Sequence, residues 1–214
     1  MDYLFEARML AGLVEYIDLH NRDGFDSLNL FNEMAILQPG LLNKLQMGLQ
    51  WIKNNNIHAV IIGGTSVVHY VTAARSLTPD IDFLTADMAI VADKANKDGL
   101  SVKPINMTSH RGLTIDEFDA DFVDANHGGL AAIHRYILDH PQMAQIGGSS
   151  FPVIAPEVLC VMKFAIGRDK DDADAFLLLQ SGTFTKEQYL KVVSDLRKSL
   201  KDVSTLKMYA QMIK

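Results

Sequence analysis

A single cysteine, Cys160, among 214 residues excludes an internal disulfide, and no group of Cys and His has the spacing of a zinc site. There is no uninterrupted apolar run of about 18 residues, so no membrane-spanning helix is expected. The stretch Met1 to Arg8 carries both signs of charge and no apolar core behind a positive tip, which does not match a secretory leader. A reducing cytoplasm is the expected setting. Disorder is excluded as the main state, because hydrophobic residues make up 48% of the chain and charged residues 21%. Basic charge is also short: the formal net charge is −6, which argues against a general nucleic-acid coat.

The charge is unevenly placed. From Thr183 to Lys214 the basic residues Lys186, Lys191, Arg197, Lys198, Lys201, Lys207 and Lys214 face Glu187, Asp195 and Asp202, so this end is basic and the rest strongly acidic. A solvated helical face accounts for it, and a contact for an anionic partner such as tRNA is the competing reading.

Periodicity divides the chain into three parts: an N-terminal helical flank (1–56), an α+β core (57–155) and a C-terminal helical region (156–214), expected to form one compact unit. Helices are expected from Asp2 to His20 and from Pro39 to about Asn54, the latter with Leu41, Leu42, Leu45, Leu49 and Ile52 on one face. Ile57 to Ile62 reads as a buried strand that ends at Gly63-Gly64, and Thr65 or Ser66 can cap a following helix to Arg75. Asp80 to Leu84 alternates acidic and apolar residues as a strand with one wet face does. A helix over Asp87–Lys97 and strands over Leu100–Met107 and Leu113–Ala125 follow, then a helix to about His140 and a short strand over Phe151–Ile154. From Pro156 on, the pattern is helical: Pro156–Ile166, Asp171–Leu179, Lys186–Leu200 and a last helix toward Ile213. Cys160, Met208 and Met212 read as packing residues.

The chemistry concentrates in the acids of the core. Asp80 and Asp82, two apart on a strand, project from one face with alpha carbons about 6.6 Å apart. Like charges that close repel, and a hard divalent cation with phosphate oxygens offsets them; a wet edge strand is the plainer alternative. Gly63-Gly64-Thr65-Ser66, at a strand-to-helix turn, offers close backbone approach, unpaired N–H groups and hydroxyls suited to a phosphate. It lacks the lysine of a P-loop and the third glycine of a dinucleotide fingerprint. In Phe118 to Asp124, Asp119 and Asp121 are expected on one strand face, with Asp121 able to complete a three-carboxylate cage.

These motifs resemble a known family. His58 to Ser66, followed by Arg75, Thr78 and Asp80-Ile81-Asp82-Phe83, is similar to the signature of the nucleotidyltransferase superfamily of DNA polymerase β-type fold, and Asp121-Phe122-Val123 resembles its third-acid strand. The closing segment, Pro156-Glu157 with Lys163, Arg168, Lys170, Asp171 and Asp174, resembles abortive-infection-type nucleotidyltransferase toxins. The resemblance covers about Ile57 to Leu179. It implies a mixed sheet with flanking helices, and Mg²⁺ or Mn²⁺ on Asp80, Asp82 and Asp121. It also implies a nucleoside triphosphate held by Gly63, Gly64, Thr65 and Ser66, Lys163 facing the phosphates, and Asp171 and Asp174 positioning that lysine or assisting the acceptor. The implied reaction moves a nucleoside monophosphate to a hydroxyl of a small molecule, a protein or a tRNA end. A non-catalytic binding or regulatory member of the same fold is the alternative.

Overall fold

The computed structural model describes residues 39–71, 81–106, 111–146 and 149–213. The helix expected over Asp2–His20, and Arg75, Thr78 and Asp80, lie outside the described residues. Contacts divide the chain into two units, one built from residues 29–66 and 77–155, the other containing 67–76 and 156–214.

The first unit holds a seven-stranded mixed sheet. Helix α1 (Pro39–Asn54) precedes β1 (Ala59–Ile62), and β1 runs directly into α2 (Gly63–Tyr70), whose residues from Val67 on group with the second unit. Then come β2 (Ile81–Thr85), α3 (Met88–Lys97), β3 (Val102–Asn106), β4 (Arg111–Ile115), β5 (Ala120–Asp124), α4 (Ala131–Asp139), β6 (Pro141–Ile146) and β7 (Ser149–Ile154). The strand order is β3-β4-β5-β2-β1-β7-β6. β2 pairs parallel with β5 and β1 parallel with β7, while the remaining neighbours are antiparallel. This is the mixed sheet with flanking helices that the family resemblance implies.

Burial explains the pairing at the centre. All four residues of β1 are buried, as a short β-branched run between two neighbours requires. In β2 and β5 the pairs Ile81↔Ala120 and Phe83↔Phe122 are fully enclosed, and the Phe83 and Phe122 ring centroids lie 5.2 Å apart. Trp51 of α1 closes over them, 6.0 Å from Phe122 and 5.7 Å from Phe118, and its indole N–H donates to Asp98 at 2.7 Å. Leu45, Leu49 and Ile52 of α1 are buried, as the helical spacing anticipates.

Three expectations for this unit are corrected. The single strand foreseen over Leu113–Ala125 is two strands, β4 and β5, separated by a 3₁₀ turn at Asp116–Phe118. Asp119 follows that turn with φ +46° and is ion-paired to Lys44, so it does not share a strand face with Asp121. A left-handed aspartate is tolerated because its short polar side chain can be satisfied locally. Thr65 and Ser66 do not cap α2, because the helix begins at Gly63, with φ +68°, and both residues sit inside its first turn. Strand β6, which no apolar run announces, is an edge strand that opens on a proline.

The second unit is helical: α5 (Pro156–Ile166), α6 (Asp169–Gln180), α7 (Lys186–Asp195), α8 (Val203–Tyr209) and a final 3₁₀ turn at Ala210–Met212. α5 packs on α6 and α7, with Val158, Leu159, Cys160 and Val161 almost entirely enclosed. Cys160 is a core residue, its thiol 3.5 Å from the Ala175 carbonyl and pushed well up in pKa by burial. α7 starts with a capping box between Thr185 and Gln188, and Asp202 caps α8 by accepting from the Thr205 N–H at 3.0 Å. α7 ends at Asp195, short of the expected Leu200, although Leu196 and Leu200 remain buried. Met208 is 61% exposed and does not pack as expected. None of the described helices is long and apolar enough to cross a membrane.

A stability test follows from the β4–β5 pairing. A Cβ built on Gly112 would lie 1.9 Å from the Phe122 carbonyl oxygen, a backbone atom that cannot swing aside. Gly112→Ala is expected to cost about 1–3 kcal/mol in urea unfolding, and an unchanged midpoint would contradict this close approach.

Candidate active site

The sheet assembles its carboxylates by register. Asp82 on β2 and Asp121 on β5 are direct partners across a parallel pair, so both project from one face on strands about 4.8 Å apart. Each is flanked by residues packed into the opposite face, Ile81 and Phe83 around Asp82, Ala120 and Phe122 around Asp121. Both aspartates are only partly buried, unlike these neighbours. Asp121 accepts a hydrogen bond from the Thr114 hydroxyl at 2.6 Å, and Thr114 is its register partner on β4.

The turn between β1 and α2 closes on the same place. Ile62 is opposite Asp82, so Gly63, one residue on, begins α2 against that carboxylate. A Cβ on Gly63 would lie 1.8 Å from Asp82 Oδ2, and φ is +68°, so glycine is required both for the conformation and for the space beside the acid. Thr65 and Ser66 are fully buried, and the Ser66 hydroxyl donates to the Ile61 carbonyl at 3.0 Å. What this turn can offer a ligand is therefore chiefly backbone N–H at the start of α2.

The donor set suits a hard divalent cation: two partly exposed carboxylates that are partners in register, one of them seated against Gly63 where a Cβ would otherwise stand. Among the described residues no group of three or more His, Cys, Asp or Glu gathers as a metal set. Asp80, the third acid put forward from the sequence, lies outside the described residues.

Lys163 and Asp171 form a separate cluster in the helical unit. Lys163, on α5, is 4% exposed, which rules out an ammonium that snorkels to water. Its Nζ lies 2.8 Å from Asp171 Oδ1 and 2.9 Å from Asp174 Oδ2, both acids on α6 and both buried. Arg168 adds an ion pair to the other oxygen of Asp171. Burial works to raise the pKa of Asp171, but the hydrogen bonds and charges of Arg168 and Lys163 outweigh it and hold the carboxyl below its ordinary value. Of the parts that the resemblance implies for Asp171 and Asp174, positioning Lys163 or assisting the acceptor, the ion pairs fit the first. The missed partner in the sheet is Thr114, which becomes visible only once the turn at Asp116–Phe118 folds β4 back on β5.

No protein-family model and no curated protein matches the chain. Among solved structures it is similar to nucleotidyltransferase-like proteins. An antigenic nucleotidyltransferase-like protein from Paracoccidioides brasiliensis shares 13% identity over 80% of this chain and 94% of its own, with a TM-score of 0.48. The antibiotic-resistance factor ANT(2'')-Ia shares 14% over 79% and 90%, with a TM-score of 0.43. The Megavirus polyadenylate synthase shares 12% over 92% of this chain but 43% of its own, with a TM-score of 0.44. Likeness at this level says nothing about activity.

Two outcomes test the buried cluster. Lys163→Met leaves Asp171 and Asp174 enclosed without their ammonium, and should cost about 3–5 kcal/mol at neutral pH in urea unfolding. A loss near zero would mean that the three groups are not mutually dependent. Asp171 is expected to contribute stability that is fully present above the unfolded carboxylate pKa, near about 3.9, and lost as pH falls through the lower folded value. The wild-type midpoint should therefore drop on acidification below about pH 4, and Asp171→Asn should show a smaller drop.

Proposed function

We propose that the protein is a metal-dependent nucleotidyltransferase that moves a nucleoside monophosphate from a nucleoside triphosphate to a hydroxyl-bearing acceptor. The observation that supports this most is the register of Asp82 with Asp121, with the Gly63 turn closed against Asp82. Asp82 and Asp121, with Asp80 as the third acid, would hold Mg²⁺ or Mn²⁺. When bound, the ion would lower the pKa of the acceptor hydroxyl and offset charge that develops at phosphorus.

The chain's own contribution is largely positional. Gly63 and Gly64 carry no side chains of their own, and the start of a helix is where backbone N–H groups suit phosphate oxygens. Thr65 and Ser66 extend that turn. Donors fixed in a folded helix start need no reorganisation when charge develops on the phosphates. Lys163 and Asp171, with Asp174, are given a structural part in this proposal, since each charge already has a partner in the helical unit. The acceptor is a small hydroxylated molecule, a protein side chain or a tRNA end. The exposed Arg197, Lys198, Lys201 and Lys207 favour a polyanionic acceptor only if binding weakens with salt.

Incubation of the protein with labelled nucleoside triphosphates, Mg²⁺ or Mn²⁺, and cellular RNA, protein and small-molecule fractions tests the reaction. Label is expected in one fraction, and Asp82→Asn and Asp121→Asn should each reduce incorporation by at least about 100-fold, roughly 2.7 kcal/mol of transition-state stabilisation. Incorporation that survives both substitutions would overturn the proposal.

A further inference from the structure

The geometry points to Thr114 as the residue that positions the Asp121 carboxylate to receive a divalent cation, an inference that rests on the proposed nucleotidyl-transfer site. Thr114 Oγ1 donates to Asp121 Oδ1 at 2.6 Å, at the short end of the range for a hydroxyl donor. The two residues stand directly opposite each other in the antiparallel β4–β5 ladder, which brings their side chains onto one face.

Thr114 is well placed to hold its partner still. β4 is hydrogen-bonded on both sides, to β3 and to β5, so the Thr114 backbone is fixed, and a β-branched side chain has a stiff first torsion. The carboxylate torsion of an aspartate is otherwise broad and nearly two-fold. A single hydroxyl proton on Oδ1 selects one rotation. It consumes only one of the roughly four lone-pair sites of the carboxylate, so the acid keeps capacity for a cation. Asp82 reaches the site from β2 on the other side of β5, which makes Thr114 the outer support of a row that runs β4–β5–β2. A plain cross-strand hydrogen bond would stabilise the sheet by about 0.2–1 kcal/mol and do nothing for a ligand. The two roles differ in what a substitution changes.

Mn²⁺ titration of the full chain, read by electron paramagnetic resonance alongside a thermal melt, separates them. Thr114→Val keeps the branched shape and removes the donor; Thr114→Ala removes it without adding apolar bulk; Thr114→Ser retains it. The valine and alanine variants are expected to bind Mn²⁺ about tenfold more weakly than wild type, with the serine variant close to wild type. Asp121→Asn should abolish the saturable site. If valine and alanine variants that melt cooperatively keep wild-type Mn²⁺ affinity while Asp121→Asn loses it, Thr114 is only a sheet contact and the proposed site stands. If Asp82→Asn and Asp121→Asn both bind Mn²⁺ as wild type does, or wild type has no saturable site, the inference falls together with the reading on which it rests.

Discussion

The parallel pairing of β2 with β5 determines which side chains can meet. Side chains alternate with a period of two, so a slip of one residue would turn Phe83 or Phe122 outward and drive Asp82 or Asp121 against Trp51. Burying an unpaired carboxylate costs several kcal/mol, and exposing a phenylalanine forfeits about 1.5–3 kcal/mol more. The aromatic cluster under α1 therefore aligns the acids on the other face. Function at this site depends on packing that never touches a ligand.

The two acidic clusters of the chain differ in how their charge is met. Asp171 and Asp174 are enclosed, and each lies within 3 Å of the Lys163 ammonium, with Arg168 on the second oxygen of Asp171. Ionised acids in so dry a setting require cations supplied by the protein itself. Asp82 and Asp121 are partly open and adjacent in register, and the Asp82 carboxylate is seated where a Cβ on Gly63 would stand. The first arrangement is closed on itself. The second has the exposure and the oxygen donors that an exogenous cation needs.

Much of this was legible in the chain. The run Ala59 to Ile62 announces β1, as a buried strand does, and Asp80 to Leu84 announces β2, although within β2 only Asp82 is not buried. The Gly63 turn was also readable. The β4–β5 hairpin was not, because Phe118, Ala120 and Phe122 continue a period of two straight through the turn. Asp116-Glu117-Phe118-Asp119 also carries neither glycine nor proline to mark it. With the hairpin went Thr114, whose partner is set by register, and register is a tertiary property. β6 escaped for the opposite reason: an edge strand paired on one side only, with Met143 61% exposed, has no need of an apolar run.

The central claim is that Asp82, Asp121 and the Gly63 turn make one cation-and-triphosphate site. A crystal structure of the protein soaked with Mg²⁺ and a non-hydrolysable nucleoside triphosphate tests it most directly. The account predicts a cation at about 2.0–2.1 Å from a carboxylate oxygen of both Asp82 and Asp121, with phosphate oxygens against the backbone of Gly63 and Gly64. A nucleotide bound elsewhere, with no cation shared by the two aspartates, would contradict it.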